Sequence, residues 1–144
     1  MAQFKFHTER LRASGLRPTK QRLAVCKILF QRKETFHFTI IKLKKIIEKD
    51  SRKKISLATL YNTDHAFKKK GYLKEISLKV NKTFFDTNTK NHHHFYYEDS
   101  SQLIDIKNQN VSVNNLPIAP KGKKIKDIEI IIRVANNNQK QKNN

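Results

Sequence analysis

Five residues of this sequence have the types and spacing to hold a metal ion. In the run His92-His93-His94, which opens a strand pattern, side chains alternate, so His92 and His94 share one face and His93 takes the other. Asp86 lies just upstream of the run. Asp105 interrupts the apolar stretch Leu103-Ile104-Asp105-Ile106, where a carboxylate without a partner would be out of place. His37 stands between Phe36 and Phe38. Two imidazoles on one face with a carboxylate make a nitrogen and oxygen donor set suited to zinc, iron or manganese, and His37, Asp86, His92, His94 and Asp105 together would close it. The plainer reading is three polar histidines and a strand-edge aspartate, and spacing alone leaves both open. His7 and His65 have no partner that spacing suggests and are expected at the surface. The single cysteine, Cys26, falls in the helical pattern Leu23-Ala24-Val25-Cys26 and reads as a buried thiol. Neither an internal disulfide nor a cysteine-based zinc site is available.

The elements that must position these residues are legible from caps and periodicity. Thr19 is placed to N-cap a helix reaching about Arg32, with Leu23, Cys26, Leu29 and Phe30 on one side. Thr39 caps a second, in which Ile40, Leu43 and Ile47 recur at helical spacing and Lys42, Lys44, Lys45 and Lys49 take much of the rest. Ser56 or Leu57 opens a third helix that stops before Gly71, with Leu57, Leu60 and Phe67 as its inward stripe. Tyr72 to Leu78 then alternates like a strand, Asn81 and Lys82 turn it, and Thr83 to Asp86 return. Helices followed by a β-hairpin predict a winged helix-turn-helix over residues 1–88. Phe95-Tyr96-Tyr97, Leu103 to Ile106, Val111 to Val113 and Ile128 to Val134 read as short strands of a small α/β or mostly β unit over residues 89–135. A unit that small is expected to dimerise. Residues 136–144 carry no apolar side chain and read as a disordered polar tail. The fold class expected is therefore α/β.

Charge adds a partner. The 144 residues carry 31 Lys and Arg against 12 Asp and Glu, a net +19. Of this, +14 lies in residues 1–78 and +5 in residues 79–144. That asymmetry favours a polyanion-binding module at the N-terminal end. In the third helix, small Ala58 and Thr59 allow close approach to a groove. Tyr61 suits a thymine methyl there, and Asn62 can pair with adenine. Lys68, Lys69 and Lys70 follow at the helix end. Asp64 does not fit, since it occupies a position where an apolar residue would complete the inward stripe. Either the helix turns it to water or a cation such as Lys68 pairs with it. No apolar run approaches the ~18 residues that would span a bilayer, so a cytoplasmic protein without membrane partners is expected.

These residues resemble the ferric uptake regulator family of metal-sensing transcription factors. The carrying motifs are Leu11-Arg12-Ala13-Ser14-Gly15-Leu16-Arg17-Pro18-Thr19-Lys20-Gln21-Arg22, the Ser56 to Phe67 helix, and His92-His93-His94-Phe95-Tyr96. Phe85-Asp86-Thr87-Asn88-Thr89, with Asn115-Leu116-Pro117, Pro120 and Gly122, is most similar to the iron response regulator branch of alphaproteobacteria. The resemblance implies a homodimeric repressor or activator that binds AT-rich palindromic double-stranded DNA to control iron homeostasis genes. On it, Tyr61 matches a base-contacting tyrosine and Arg17 a residue that enters the minor groove, with Lys20 on the same surface. His37, Asp86, His92, His94 and Asp105 fall on the family's interdomain site, implying one divalent Zn, Mn or Fe ion per subunit. Haem is a second candidate ligand, at His92, His93 and His94, although the branch's Cys-Pro haem motif is absent because Lys27 follows Cys26. The first cysteine pair of the family's structural zinc site falls on Tyr97 and Ser100, so that site is not expected. Asn91 stands where many members have a histidine, and Asp64 where leucine is usual.

Two other classes are set against this reading. A metalloenzyme would keep an open coordination position and a general base beside it, and no such base is evident, so the protein is not expected to be an enzyme. A basic sequence-neutral nucleic-acid-binding protein without a metal switch is the stronger alternative.

Overall fold

The computed structural model describes residues 2–78 and 82–137. The chain divides into two compact units, residues 1–89 and 90–144.

Among the described residues the first unit has four helices and a small sheet: α1 (Ala2–Ala13), α2 (Lys20–Phe30), β1 (His37–Phe38), α3 (Ile40–Ser51), α4 (Leu57–Lys70), β2 (Lys74–Ser77) and β3 (Thr83–Asp86). The three expected helices start where the caps placed them. Thr19, Thr39 and Ser56 each accept a hydrogen bond from the backbone N–H three residues on, at 3.2, 3.2 and 3.1 Å, satisfying donors that a helix start leaves orphaned. Gly71 ends α4 with φ +86°, a left-handed conformation that favours glycine. The sheet has the order β1-β3-β2 and is antiparallel throughout. Asn81, half of the expected wing turn, lies outside the described residues.

Helix α1 and the two-residue strand β1 were not expected from the sequence. Leu11 of α1 is fully buried in a core built from Val25, Cys26, Leu29, Phe38, Leu43, Leu60, Phe67 and Phe85. The neighbouring Arg10 lays its guanidinium 3.9 Å from the centre of the Phe30 ring, a cation–π contact. The same helix corrects the reading of His7, which is buried. Its Nε2 lies 2.9 Å from Gln31 Nε2. Burial, with Arg10 nearby, holds the His7 pKa below its ordinary value. Cys26 is the buried thiol expected, and burial is the main cause that pushes its pKa up to about 12.

In α4 the inward stripe is Leu60, Thr63, Asp64 and Phe67. Leu57 stands at i−3 from Leu60 in the first turn and is 43% exposed, not inward as expected. Thr63 meets its burial by donating to the Thr59 carbonyl at 2.7 Å. Asp64 meets neither expectation. It is fully buried, and Lys68 pairs with Glu75 of β2 instead. Neither Asp64 oxygen has a hydrogen-bond partner among the described residues, and burial raises its pKa to about 8. The carboxyl is therefore held protonated near neutrality, because an ion there would cost more than the proton does.

The second unit is a three-stranded sheet of β4 (His92–Tyr97), β5 (Gln102–Lys107) and β6 (Ile131–Val134), in the order β5-β4-β6. Strand β4 pairs antiparallel with β5 and parallel with β6. A 3-10 turn over Asn108–Asn110 leads into an irregular connection. The strand expected over 111–113 does not form, and the last strand begins at Ile131, not at 128. Of the expected tail, residues 138–144 lie outside the described residues. The Asn136 N–H donates to Asp99 Oδ2 at 2.7 Å.

The folded-state pKa of Asp64 lies above its ordinary value, so the native state holds a proton that the unfolded chain releases. Stability should fall as pH rises from about 4 to about 8, by up to ~1.4 kcal/mol per pH unit. Asp64→Asn keeps the shape and removes the titration. Urea unfolding at pH 5, 6.5 and 8 should show the variant gaining on wild type at each step. Parallel stabilities across the range would mean that Asp64 is ionised in the fold.

Candidate metal centre and nucleic-acid face

Each unit assembles its own donors. In the first, cross-strand pairing sets His37 of β1 opposite Asp86 of β3, and His37 Nε2 lies 3.3 Å from Asp86 Oδ2. The other oxygen, Oδ1, accepts the Asn88 N–H at 2.8 Å, which fixes the carboxylate plane. Asp86 is fully buried.

In the second unit, β4 alternates as expected, and the antiparallel register sets Asp105 directly opposite His94. Asp105 Oδ1 lies 3.4 Å from His92 Nε2 and 3.3 Å from His94 Nε2. The two histidines are buried, with ring centroids 4.5 Å apart, whereas the Asp105 side chain is 37% exposed. His92 Nδ1 lies 2.5 Å from the Lys90 carbonyl oxygen. A carbonyl can only accept, so the neutral ring carries its proton on Nδ1 and offers the lone pair of Nε2.

This donor set fits a divalent ion. In each group the carboxylate oxygen stands 3.3–3.4 Å from the histidine nitrogens it faces. That is the edge (about 3.3 Å) of a tetrahedron whose corners lie ~2.0 Å from its centre, the usual zinc–imidazole distance. The third histidine differs. His93 Nδ1 accepts the Ile130 N–H at 3.0 Å, so its proton sits on Nε2. Its ring lines a separate cleft of about 300 Å³ with Asn91, Val111, Leu116 and Ile128. The three rings do not form one face.

The residues expected to meet DNA lie on the surface of the first unit. Arg17, Lys20, Ala58, Tyr61 and Asn62 are exposed and Thr59 is half-buried. The Thr59 hydroxyl accepts from Ser56 at 2.8 Å and so belongs to the helix cap. Tyr61 is 47% exposed, and its ring stacks on His65, whose edge meets Phe85 of β3. His65 is exposed as expected and gives Tyr61 a flat support. Sequence reasoning missed that role for His65. It also missed Glu129, whose Oε1 lies 3.3 Å from His94 Nδ1.

The family model described as the ferric uptake regulator family matches residues 13–133. The peroxide-responsive repressor PerR of Staphylococcus aureus (strain Mu50) is 33% identical over 95 residues. That stretch is 66% of this chain and 62% of the relative, so the match spans less than two thirds of the curated protein's length. Among solved structures, the ferric uptake regulator of Vibrio cholerae shares the fold with a TM-score of 0.64 at 20% identity, covering 89% of this chain and 98% of that one. The Pseudomonas aeruginosa ferric uptake regulator with manganese gives 0.65 at 18% identity, covering 90% and 97%. The architecture, a winged helix-turn-helix followed by a small sheet unit, is that of these proteins. No helix of the described residues is long and apolar enough to cross a membrane.

Asp105 faces both Nε2 atoms and is partly exposed, so its removal tests the donor set without opening a cavity. Asp105→Ala should weaken Zn²⁺ binding at least ten-fold and abolish most of the rise in melting temperature that added Zn²⁺ gives wild type. Its metal-free melting temperature should match wild type. Unchanged Zn²⁺ affinity by competition with a chelating dye would remove Asp105 from the site.

Proposed function

The chain belongs to the ferric uptake regulator family, and from that premise we propose that it is a metal-responsive transcriptional regulator and not an enzyme. One divalent ion per subunit, Zn, Mn or Fe, joins His37 and Asp86 to His92, His94 and Asp105. The observation that carries this reading is the pair of built donor sets, in each of which a carboxylate oxygen stands 3.3–3.4 Å from the imidazole nitrogens it faces. Only five residues separate Asp86 from His92 in the sequence. In this reading the ion supplies a cross-link between the two donor sets. Closing it selects one hinge angle from an ensemble, and DNA affinity follows the population of that angle.

The same reading gives helix α4 the major groove. Tyr61, propped by His65, and Asn62 reach base edges, small Ala58 permits close approach, and Arg17 and Lys20 hold phosphates or the minor groove. Thr59 supports the helix start from which they project. The protein acts as a homodimer on AT-rich operators of iron homeostasis genes, in the cytoplasm. An apolar row across the second sheet supports the dimer. Ile104 and Ile132 both pair with Phe95, and both stay exposed in the single chain, so a second copy would cover them. The iron response regulator branch rests on the Phe85 to Thr89 and Asn115 to Pro117 segments alone. The likeness to a Staphylococcus aureus repressor named as peroxide-responsive favours a second reading of the effector, in which peroxide releases the protein from DNA.

The test measures metal and haem content of the purified protein, then affinity for AT-rich and scrambled duplexes with and without metal. About one ion per chain should be found in wild type and lost in a His92→Ala/His94→Ala variant. Operator affinity should rise with metal in wild type only, and fall with salt at a log–log slope of about −0.9 per phosphate neutralised. Tyr61→Ala should cost the AT-rich duplex ~1–3 kcal/mol and the scrambled one much less. Equal affinity for both duplexes with no metal effect would establish the sequence-neutral alternative. Haem bound in place of metal would overturn the divalent-ion site, and release by hydrogen peroxide would assign the effector to the second reading.

A further inference from the structure

We propose that Glu129 is the positioning residue that presents His94 to the metal, an inference that rests on the metal site above. An imidazole ligand uses one ring nitrogen for the ion, and what the other nitrogen meets decides the tautomer, the ring angle and the basicity of the donor. For His92 that second partner is the Lys90 carbonyl. For His94 it is a side chain from a distant part of the sequence. Its Nε2 faces Asp105 at 3.3 Å, and its Nδ1 faces Glu129 Oε1, also at 3.3 Å. The ring is thus held between two carboxylates, one on the donor side and one behind it.

Three features make the position of Glu129 a built one. The His94 N–H donates to the Ile130 carbonyl at 3.1 Å, and the Ile130 N–H donates to His93 Nδ1 at 3.0 Å, so the residue beside Glu129 is tied on both sides to the histidine run. The parallel ladder then begins with Ile131 opposite His94. Alternation from Ile131 back to Glu129 returns the side chain to the His94 face of the sheet. Burial sharpens the effect: His94 is fully buried, and its Nδ1 and Glu129 Oε1 are shielded from solvent, their 3.3 Å approach being an ion-pair contact and not a formed hydrogen bond. Water is a poor competitor for Nδ1 there, and the carboxylate acts at reduced dielectric.

Glu129 faces the nitrogen that a metal does not use, so it is not counted among the ligands. A carboxylate at Nδ1 keeps the proton on that atom and leaves Nε2 as the lone-pair donor. It also raises the electron density of the ring, strengthening the bond that Nε2 makes. His93 has a different part: its Nδ1 accepts from Ile130 and pins the strand that carries Glu129. That accounts for the middle histidine of the run without making it a ligand.

Zn²⁺ and Mn²⁺ affinities of the full chain, measured by chelator competition, test this with wild type, Glu129→Gln, Glu129→Leu and His92→Ala/His94→Ala. Glu129→Leu should weaken binding 10- to 100-fold. Glu129→Gln should lose less, because its amide oxygen can also face and accept the Nδ1 proton. Metal-free melting temperatures of wild type and both Glu129 variants should agree. Equal affinity in all three proteins overturns the proposal. So does a loss of affinity that tracks a lowered metal-free melting temperature and is not recovered by Gln, since that marks a packing role. Wild-type protein that binds no better than His92→Ala/His94→Ala would overturn the metal site itself, a result separate from either of these.

Discussion

The register of β4 against β5 is the constraint on which the second unit's chemistry depends. Asp105 is useful only because it stands opposite His94 and reaches the Nε2 atoms of both His92 and His94. A slip of one residue would turn Asp105 to the face of His93, because side chains alternate with a period of two. The register is held from both edges. On one side Ile106 and Leu103 pair with His93 and Tyr96 and are buried with them. On the other, β6 adds its parallel ladder and the His94 N–H bond to Ile130. A charged residue in an apolar strand is thereby held in a defined place at modest cost, since its carboxylate keeps partial access to water while its oxygen faces two rings.

The first unit accepts a larger polar cost at Asp64. Leucine there would complete a stripe with Leu60 and Phe67, whereas a protonated carboxyl without partners leaves both oxygens unsatisfied. What makes this tolerable is the surrounding core, in which Leu11, Cys26, Leu60 and Phe67 are fully buried. Helix α1 contributes to that core through Leu11 and through Arg10 stacked on Phe30. Helix α4, with its exposed Tyr61 and Asn62, is therefore supported by an element remote from it in sequence. Its outer face carries Tyr61 stacked on His65, and its inner face carries Asp64.

What the sequence disclosed follows from how local each interaction is. The caps at Thr19, Thr39 and Ser56 are three-residue events, so their side-chain chemistry announces the helix starts without reference to the rest of the fold. The alternation of His92, His93 and His94 is equally local. Helix α1 stayed hidden because its burial rests on His7 and Leu11, while Phe4 and Phe6 are exposed and blur any apolar face. Strand β1 is two residues long and exists only through its pairing with β3. Glu129 was invisible for the same reason: it comes to His94 through a parallel pairing across a long connection, and no spacing rule reports that. His65 looked like a surface histidine and is one, but its stacking partners are set by the helix and by Phe85 of β3 together.

Three identical side chains in a row end with three different tasks, and the neighbours alone assign them. His92 meets a backbone carbonyl at Nδ1, His94 meets a carboxylate there, and His93 accepts a backbone N–H at the same atom. The first two are left with Nε2 as an electron-pair donor on the Asp105 face. The third is left with Nε2 as a proton donor on the other. A metal site needs that division, because a ring whose Nε2 carries a proton cannot bind an ion until the proton moves. Residue type supplies the capacity to ligate, strand alternation sorts the rings to two faces, and the partner at Nδ1 decides which nitrogen is offered. Which nitrogen each ring offers is therefore specified as much by Lys90, Glu129 and Ile130 as by the histidines themselves.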